Sequence, residues 1–286
     1  MPPPKKLITV DIGNTTTDFG LFIGKRLVRS GKTLTRAEKN YTFYYREMKK
    51  IIGASNLPGI EGMAVSSVVP AIDGLFRKIG KIHFGLNPFF VNHRNCGLKI
   101  KYDKPAHVGA DRLSNAAAGI LFYGTPLIVI DFGTAITFDC INKKGEYEGG
   151  IILPGAELTA TALHEHTAKL PIVNPFTKPA SLIGKNTKTA ILSGIYYGTE
   201  GGINLILGKL KTAMQCDRIV LTGGHAGFFK NRIKGKPKLA PGLTHTGIRI
   251  IWERATTMNA TPRYAALEQA PSETVRLRRE RRTGQP

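Results

Sequence analysis

The amino-acid sequence predicts an α/β protein with mixed sheets, whose two halves repeat one motif around a shared cleft. Three observations lead there. Short apolar runs alternate with helical patterns along the chain. The first runs are joined by turns, so those strands form hairpins rather than a purely parallel sheet. One strand–turn–strand unit then occurs twice.

The repeat is legible residue by residue. Leu7–Val10 leads into Asp11, Ile12, Gly13, Asn14, Thr15, Thr16, Thr17 and Asp18, and Pro126–Ile130 leads into Asp131, Phe132, Gly133, Thr134 and, further on, Thr137. Asp11/Asp131, Gly13/Gly133 and Thr17/Thr137 fall in the same register, and a basic, glycine-bearing turn follows each second strand. A carboxylate at the end of a buried strand is costly unless it meets a cation, donors or a ligand. The glycine two residues on lets backbone approach something closely. That combination suits a phosphate or a metal–phosphate complex. Each segment alone also fits a hairpin whose Asp and Thr satisfy their own turn; the repetition favours two Asp-Gly-Thr loops facing one cleft.

In chain order, residues 7–32 read as three short strands with tight turns. Thr35 is placed to cap a helix over Arg36–Ile52, with Glu38 completing a capping box. Gly62–Pro70 reads as a buried strand, Ala71–Ile79 as a short helix and Pro88–Val91 as a strand. A polar loop from Tyr102 to Gly109 leads into an alanine-rich helix, placing Asp111 near its start. There Asp111 is either an ordinary helix-end acid or a base beside an anion-binding arginine, Arg112. Tyr123–Pro126 is the best domain boundary. Gly149–Gly155 reads as a strand and Glu157–His166 as a helix; His164 and His166, two apart, point to different faces and make a poor metal pair. The longest helical pattern runs from Lys188 to Lys211, with Gly201 and Gly202 permitting close packing or a kink. Arg218–Thr222 is a buried strand delivering Gly223, Gly224 and His225, a turn suited to lying flat on a planar or anionic ligand. Gly247–Arg254 reads as a last short helix, and from Ala255 the pattern dissolves into a basic tail, 255–286, with a charge run at Arg276–Arg282.

Bulk properties bound the function. The 286 residues suffice for two domains, here 1–124 and 125–254, and 42% apolar composition is that of a globular protein. The sequence holds no run of roughly 18 apolar residues and no signal-peptide core, which sets the expectation of a cytoplasmic protein. Three scattered cysteines form neither a disulfide framework nor a metal motif. The net charge of +21 attracts anions, but the basic residues are dispersed and lack interleaved aromatics. A solvated basic surface is favoured over a nucleic-acid footprint.

Five motifs in order now stand together: Asp11–Thr15, Gly109–Arg112, Asp131–Thr134, Gly149–Gly155 and Thr222–Gly224. Over about residues 6–254 this set resembles the type III pantothenate kinases, of the superfamily of acetate and sugar kinases and actin-like ATPases. The resemblance implies two duplicated ribonuclease-H-like domains, mixed sheets flanked by helices with a cleft between them. It implies transfer of the γ-phosphoryl group of ATP to the primary hydroxyl of pantothenate, the first step of coenzyme A synthesis. It also implies Mg2+ or another divalent ion with ATP, a monovalent cation (K+ or NH4+), and a homodimer.

Residue by residue, Asp111 matches the family's catalytic base. Gly109, Arg112 and Thr187 match the groups that hold the pantothenate carboxylate, Ala110 lies between them, Tyr102 matches a substrate wall, and His166 matches the pocket or dimer contact. The loop Asp11–Asp18 and Thr134 match the phosphate cradle, with Asp11 toward magnesium; Gly223 and Gly224 match the adenosine turn, and Asp131 the monovalent-cation ligand. The family's relatives include non-catalytic, transcription-associated accessory factors; retention of Asp111, Arg112, Asp131 and both glycine turns favours the kinase.

Overall fold

The computed structural model describes residues 4–265, with side chains through Thr257. The first three strands are β1 (Lys6–Ile12), β2 (Thr16–Ile23) and β3 (Arg26–Leu34), an antiparallel meander. After helix α1 (Tyr41–Ile52), β4 (Ile60–Ser67) lies parallel to β1. Helix α2 (Asp73–Ile79) then leads to a short parallel edge strand, β5 (Phe89–Phe90). The sheet order is β3-β2-β1-β4-β5.

Helix α3 (Ala110–Tyr123) carries the chain to a second meander, β6 (Leu127–Phe132), β7 (Ala135–Ile141) and β8 (Tyr147–Pro154). Helices α4 (Ala156–Glu165) and α5 (Thr187–Met214) precede β9 (Ile219–Thr222), which lies parallel to β6. The short helix α6 (Ala226–Phe229), the parallel edge strand β10 (Lys238–Leu239) and helix α7 (Leu243–Ala265) complete the described chain. Read from its other edge, this sheet is β8-β7-β6-β9-β10. Strand for strand, its order and its pattern of antiparallel and parallel neighbours repeat those of the first sheet. The duplicated, ribonuclease-H-like architecture is therefore a property of the topology.

Strand alternation builds the core in layers. Ile8, Val10, Phe19 and Leu21 face α1 and α2, packing on Tyr44, Met48 and Phe76. Leu7 and Phe22 face the other way, into a central layer with Leu113, Ala116 and Ala117 of α3, Ile248 and Ile251 of α7, and Leu127 and Val129 of β6. Ile128, Ile130 and Phe132 point outward from the second sheet onto Ile191, Ile195 and Ile203 of α5. Strands buried on both faces explain the continuous apolar runs that announced them.

Three expectations are corrected. Thr35 does not cap α1: that helix starts later, capped by the Asn40 side chain accepting from the Phe43 amide. Thr17 and Thr137 are not equivalent either. Asp11 pairs with Asp18, whereas Asp131 pairs with Thr137, because the first turn is one residue longer. The last helix begins at Leu243 and continues to Ala265. The described residues through Trp252 form one compact unit, and Glu253–Ala265 belong to a second; the remainder of the basic tail, with Arg276–Arg282, lies outside the described residues.

Candidate active site

Two equivalent strand ends supply the site's carboxylates. β1 delivers Asp11 opposite Ser66 of β4, and β6 delivers Asp131 opposite Thr222 of β9. Ser66 Oγ donates to Asp11 Oδ1 at 2.8 Å. Asp131 Oδ2 accepts from Asn115 Nδ2 at 2.8 Å, and Asn115 Oδ1 in turn accepts from Thr244 Oγ1 at 2.9 Å. Helices α3 and α7 thus hold a carboxylate that β6 presents.

The turns after these strands meet across the cleft. Thr134 Oγ1 donates to Thr15 Oγ1 at 2.9 Å. The Gly13 amide donates to the Thr16 carbonyl and the Gly133 amide to the Ala135 carbonyl. Asn14, Thr15, Gly133 and Thr134 are exposed at the lip, with Gly13 half-buried below them. Ile12 is fully buried, and Thr17, also buried, hydrogen-bonds Thr35, whose hydroxyl donates to the Gly13 carbonyl at 2.8 Å. Those two residues brace the first turn from beneath. Thr16 Oγ1 donates to Asp18 Oδ2.

The glycine turn after β9 closes the same end. Gly223 has φ +90°, and a Cβ there would lie 2.3 Å from Asp131 Oδ1 and 2.6 Å from the Phe132 backbone. Only a residue without a side chain fits that approach. Beside Gly224, a Cβ would lie 3.7 Å from the Lys32 ammonium, which also faces Asp18 across the β2–β3 pair.

Asp111 sits in the first turn of α3, its Oδ1 accepting from the Arg112 amide at 2.8 Å. Gly109, the residue before the helix, makes room for it: a Cβ there would lie 2.3 Å from that same oxygen. Burial raises the Asp111 pKa above the ordinary carboxylate value, against the opposing effect of the Arg112 amide and guanidinium. Asp11 is raised well above it, first by burial and then by the charge of Asp111. Asp131 is pushed up to about 7, again mainly by burial, with Asp111, Asp139 and Asp18 adding repulsion. Asp18 is raised by burial, with Lys32 opposing. Burial and mutual repulsion disfavour the ionised form of these carboxylates, a cost that a nearby cation would relieve.

The other expected residues divide. Ala110 is buried and accepts from Ser114 Oγ through its carbonyl. Arg112 is buried, its Nε 2.7 Å from Asp139 Oδ1. Tyr102 is 39% exposed, its ring 3.3 Å from where a Gly149 Cβ would stand. Thr187 is exposed at the start of α5, behind an Asn186–Thr189 capping box, and His166 is exposed at the end of α4. Among the described residues, no hydrogen bond ties Thr187 or His166 to the carboxylates. Lys32, Asn115 and Thr244 were not singled out from sequence, and Thr35, Ser66 and Asp139 were not read there as site residues. A lysine or threonine within a strand pattern carries no local mark; only the paired turns, once placed, show which of them reach the cleft.

The donor set fits a hydrated cation brought with a phosphate. Among the described residues no three His, Cys, Asp or Glu side chains are gathered to cage a metal ion, and magnesium is commonly held by one or two carboxylates, waters and substrate phosphates. Asp11 and Asp18 at the first turn are the residues placed to contribute. Among the described residues no helix is long and apolar enough to cross a membrane.

Comparison with known proteins places the chain in a family. The family model described as type III pantothenate kinase matches residues 7–209. The type III pantothenate kinase of Geobacter sulfurreducens is 38% identical over 253 residues, covering 87% of this chain and 98% of its own length. That of Geotalea uraniireducens is 36% identical with the same coverage. Among solved structures, a Baf family protein of Campylobacter jejuni, described as a candidate transcriptional activator, superposes with TM-score 0.58 at 19% identity, over 87% of this chain and 99% of its own. That likeness is one of fold. With five motifs in order, two equivalent Asp-bearing strand ends and relatives matched along nearly their whole length, the chain belongs to the type III pantothenate kinases.

Proposed function

We propose that the chain phosphorylates pantothenate with ATP at the cleft between the two Asp-Gly-Thr turns, with Asp111 as the base. The activity is that of its family, an ATP-dependent kinase of coenzyme A synthesis. The observation that carries the residue assignment is Asp111 itself. It lies at a helix N-terminus, half-buried, anchored through one oxygen, and made more basic than an exposed aspartate by its burial. A general base must hold its lone pair toward the reacting hydroxyl and have a pKa near working pH. Asp111 accepts the proton of the pantothenate hydroxyl as the new phosphorus–oxygen bond forms.

The turn Asp11–Asp18 and Thr134 hold the phosphates through amides and hydroxyls, with Gly223 and Gly224 against the nucleoside. A divalent ion with ATP neutralises charge developing on the transferred group, held through Asp11 and water. Asp131 takes the potassium or ammonium ion: its ionised form is disfavoured by burial and neighbouring acids, so a cation there relieves a standing cost. Gly109, Ala110, Arg112, Tyr102 and Thr187 form the pantothenate side, with His166 at its edge. The domains are 1–124 and 125–254, and the protein is cytoplasmic.

The homodimer is supported by α5. Gly194, Tyr197, Gly198, Gly201, Leu205 and Gly208 form an exposed stripe at three- and four-residue spacing. Leu205 is 63% exposed, and Cβ atoms built at the four glycines meet nothing within 4 Å. A glycine-and-apolar seam of that period suits close packing against a second copy of the helix. A coupled assay with pantothenate, saturating ATP and magnesium tests the whole reading. Turnover with potassium or ammonium and little with sodium is expected; no turnover with any of the three overturns it.

A further inference from the structure

Half of the Arg112 guanidinium is spoken for inside the protein. Nε donates to Asp139 Oδ1 at 2.7 Å and Nη2 to the Phe138 carbonyl at 3.0 Å. The Tyr147 hydroxyl donates to the same Asp139 oxygen at 2.8 Å. Asp139 is wholly buried in the middle of β7, Tyr147 wholly buried at the start of β8, and Arg112 only 7% exposed. The β8 backbone presses on the arrangement: a Cβ at Gly150 would lie 2.5 Å from Arg112 Nη2. Asp139 Oδ2, also buried, has no hydrogen-bond partner.

A buried ion pair with an unsatisfied oxygen is poor structural glue, since desolvation offsets its attraction. Its geometry does something more specific. A guanidinium presents its donors along fixed edges. Asp139 and Phe138 occupy the edge formed by Nε and Nη2, which leaves the terminal edge of Nη1 and Nη2 as the remaining bidentate face. Arg112 also directly follows Asp111. A guanidinium free to rotate would fold onto that carboxylate and acidify it.

We propose that Asp139, steadied by Tyr147, is a positioning residue for pantothenate recognition: it grips the inner edge of Arg112, presents the outer edge to the substrate carboxylate, and keeps the guanidinium off Asp111. The proposal rests on the assignment of Arg112 to the pantothenate carboxylate. Fixing the side chain on folding removes an ordering cost from binding, and a planar fork is the donor whose orientation matters most for a carboxylate.

The test is steady-state kinetics on Asp139→Asn, Tyr147→Phe, Arg112→Ala and the double variant Arg112→Ala/Asp139→Asn, with folding checked by circular dichroism. Asp139→Asn is expected to raise KM for pantothenate about tenfold and Tyr147→Phe about threefold, with KM for ATP within about twofold. Preference for pantothenate over its neutral carboxamide should shrink in both. The acidic limb of the pH profile should move down, because the loosened arginine now stabilises ionised Asp111. In the Arg112→Ala background, Asp139→Asn should add nothing further to KM for pantothenate. If Arg112→Ala leaves KM for pantothenate and the carboxamide preference unchanged, the underlying assignment of Arg112 is wrong. If Arg112→Ala changes them but folded Tyr147→Phe and Asp139→Asn do not, the positioning role is overturned. Should Asp139→Asn fail to fold, Tyr147→Phe decides alone.

Discussion

Thr134 donates its hydroxyl hydrogen to the hydroxyl of Thr15 at 2.9 Å, one side chain from each copy of the duplicated turn. The two copies of the turn are thereby joined at their tips. Thr134→Val keeps the shape and removes the donor. It is expected to raise KM for ATP about tenfold, the scale of one or two hydrogen bonds to charged groups, and to leave KM for pantothenate nearly unchanged. Thr134→Ser should behave as wild type. Equal effects on both substrates would place Thr134 elsewhere.

Asp111→Asn removes the proposed proton acceptor with little change in volume. Turnover should fall by at least about a thousandfold, while calorimetric binding of ATP with magnesium stays within about twofold. Near-normal turnover in the folded variant would mean another group takes the proton.

The raised pKa of Asp131 makes a stability prediction whose sign is fixed. Its folded-state pKa of about 7 lies above the unfolded value, so the native state binds the extra proton. Stability conferred by that proton is fully present below the unfolded pKa and is lost as pH rises toward 7, by at most about 1.4 kcal/mol per pH unit. Without cations, the melting temperature of the wild type should therefore fall relative to that of Asp131→Asn between pH 4.5 and pH 7.5. Comparison within the pair cancels His245, whose burial lowers its pKa to about 4 and so favours the fold as pH rises. Potassium should restore the wild type at pH 7.5 and not the variant. Parallel curves for both proteins would refute the assignment.

Gly223→Ala should be severe for a small substitution. The residue has φ +90°, and the new methyl would stand 2.3 Å from Asp131 Oδ1. The backbone conformation alone costs about 1–2 kcal/mol, and relief of the clash must displace Asp131. The melting temperature should drop by several degrees, at about 2–4 °C per kcal/mol for a chain of this size. The potassium concentration for half-maximal activity should rise with it. At Gly224, where no such contact exists, alanine should have a milder effect.

The exposed stripe on α5 predicts an oligomeric state. Leu205→Asp places a charge where a second copy would bury apolar surface. Light scattering should show a dimer for the wild type and a monomer for the variant, whose monomeric fold stays intact because Leu205 is 63% exposed. An unchanged mass for Leu205→Asp would move the interface away from α5.

How much of this was legible beforehand depended on whether the signal was local. The repeated Asp-Gly-Thr turns, β1 to β3, the buried runs of β6 and β9 and the glycine turn after β9 carry their marks in contiguous residues. The Thr17/Thr137 pairing misled because sequence register ignores turn length, and one extra residue in the first turn puts Asp18 where Thr137 stands in the second. Thr35 looked like a helix cap because capping boxes are read from spacing alone; in the fold its hydroxyl reaches back to Gly13.

By itself the sequence determined the α/β class, the duplication, the two acidic strand ends and the family, because apolar periodicity, turn chemistry and motif order are properties of neighbouring residues. Only the tertiary structure decided that Asn115 and Thr244 hold Asp131, that Lys32 stands beside Gly224, and that Asp139 grips Arg112. Those partners lie on different strands and helices, brought together by sheet pairing and by α3 and α7 packing between the sheets. A hydrogen bond of 2.8 Å is decided by where two backbones end up, and no stretch of sequence records that distance.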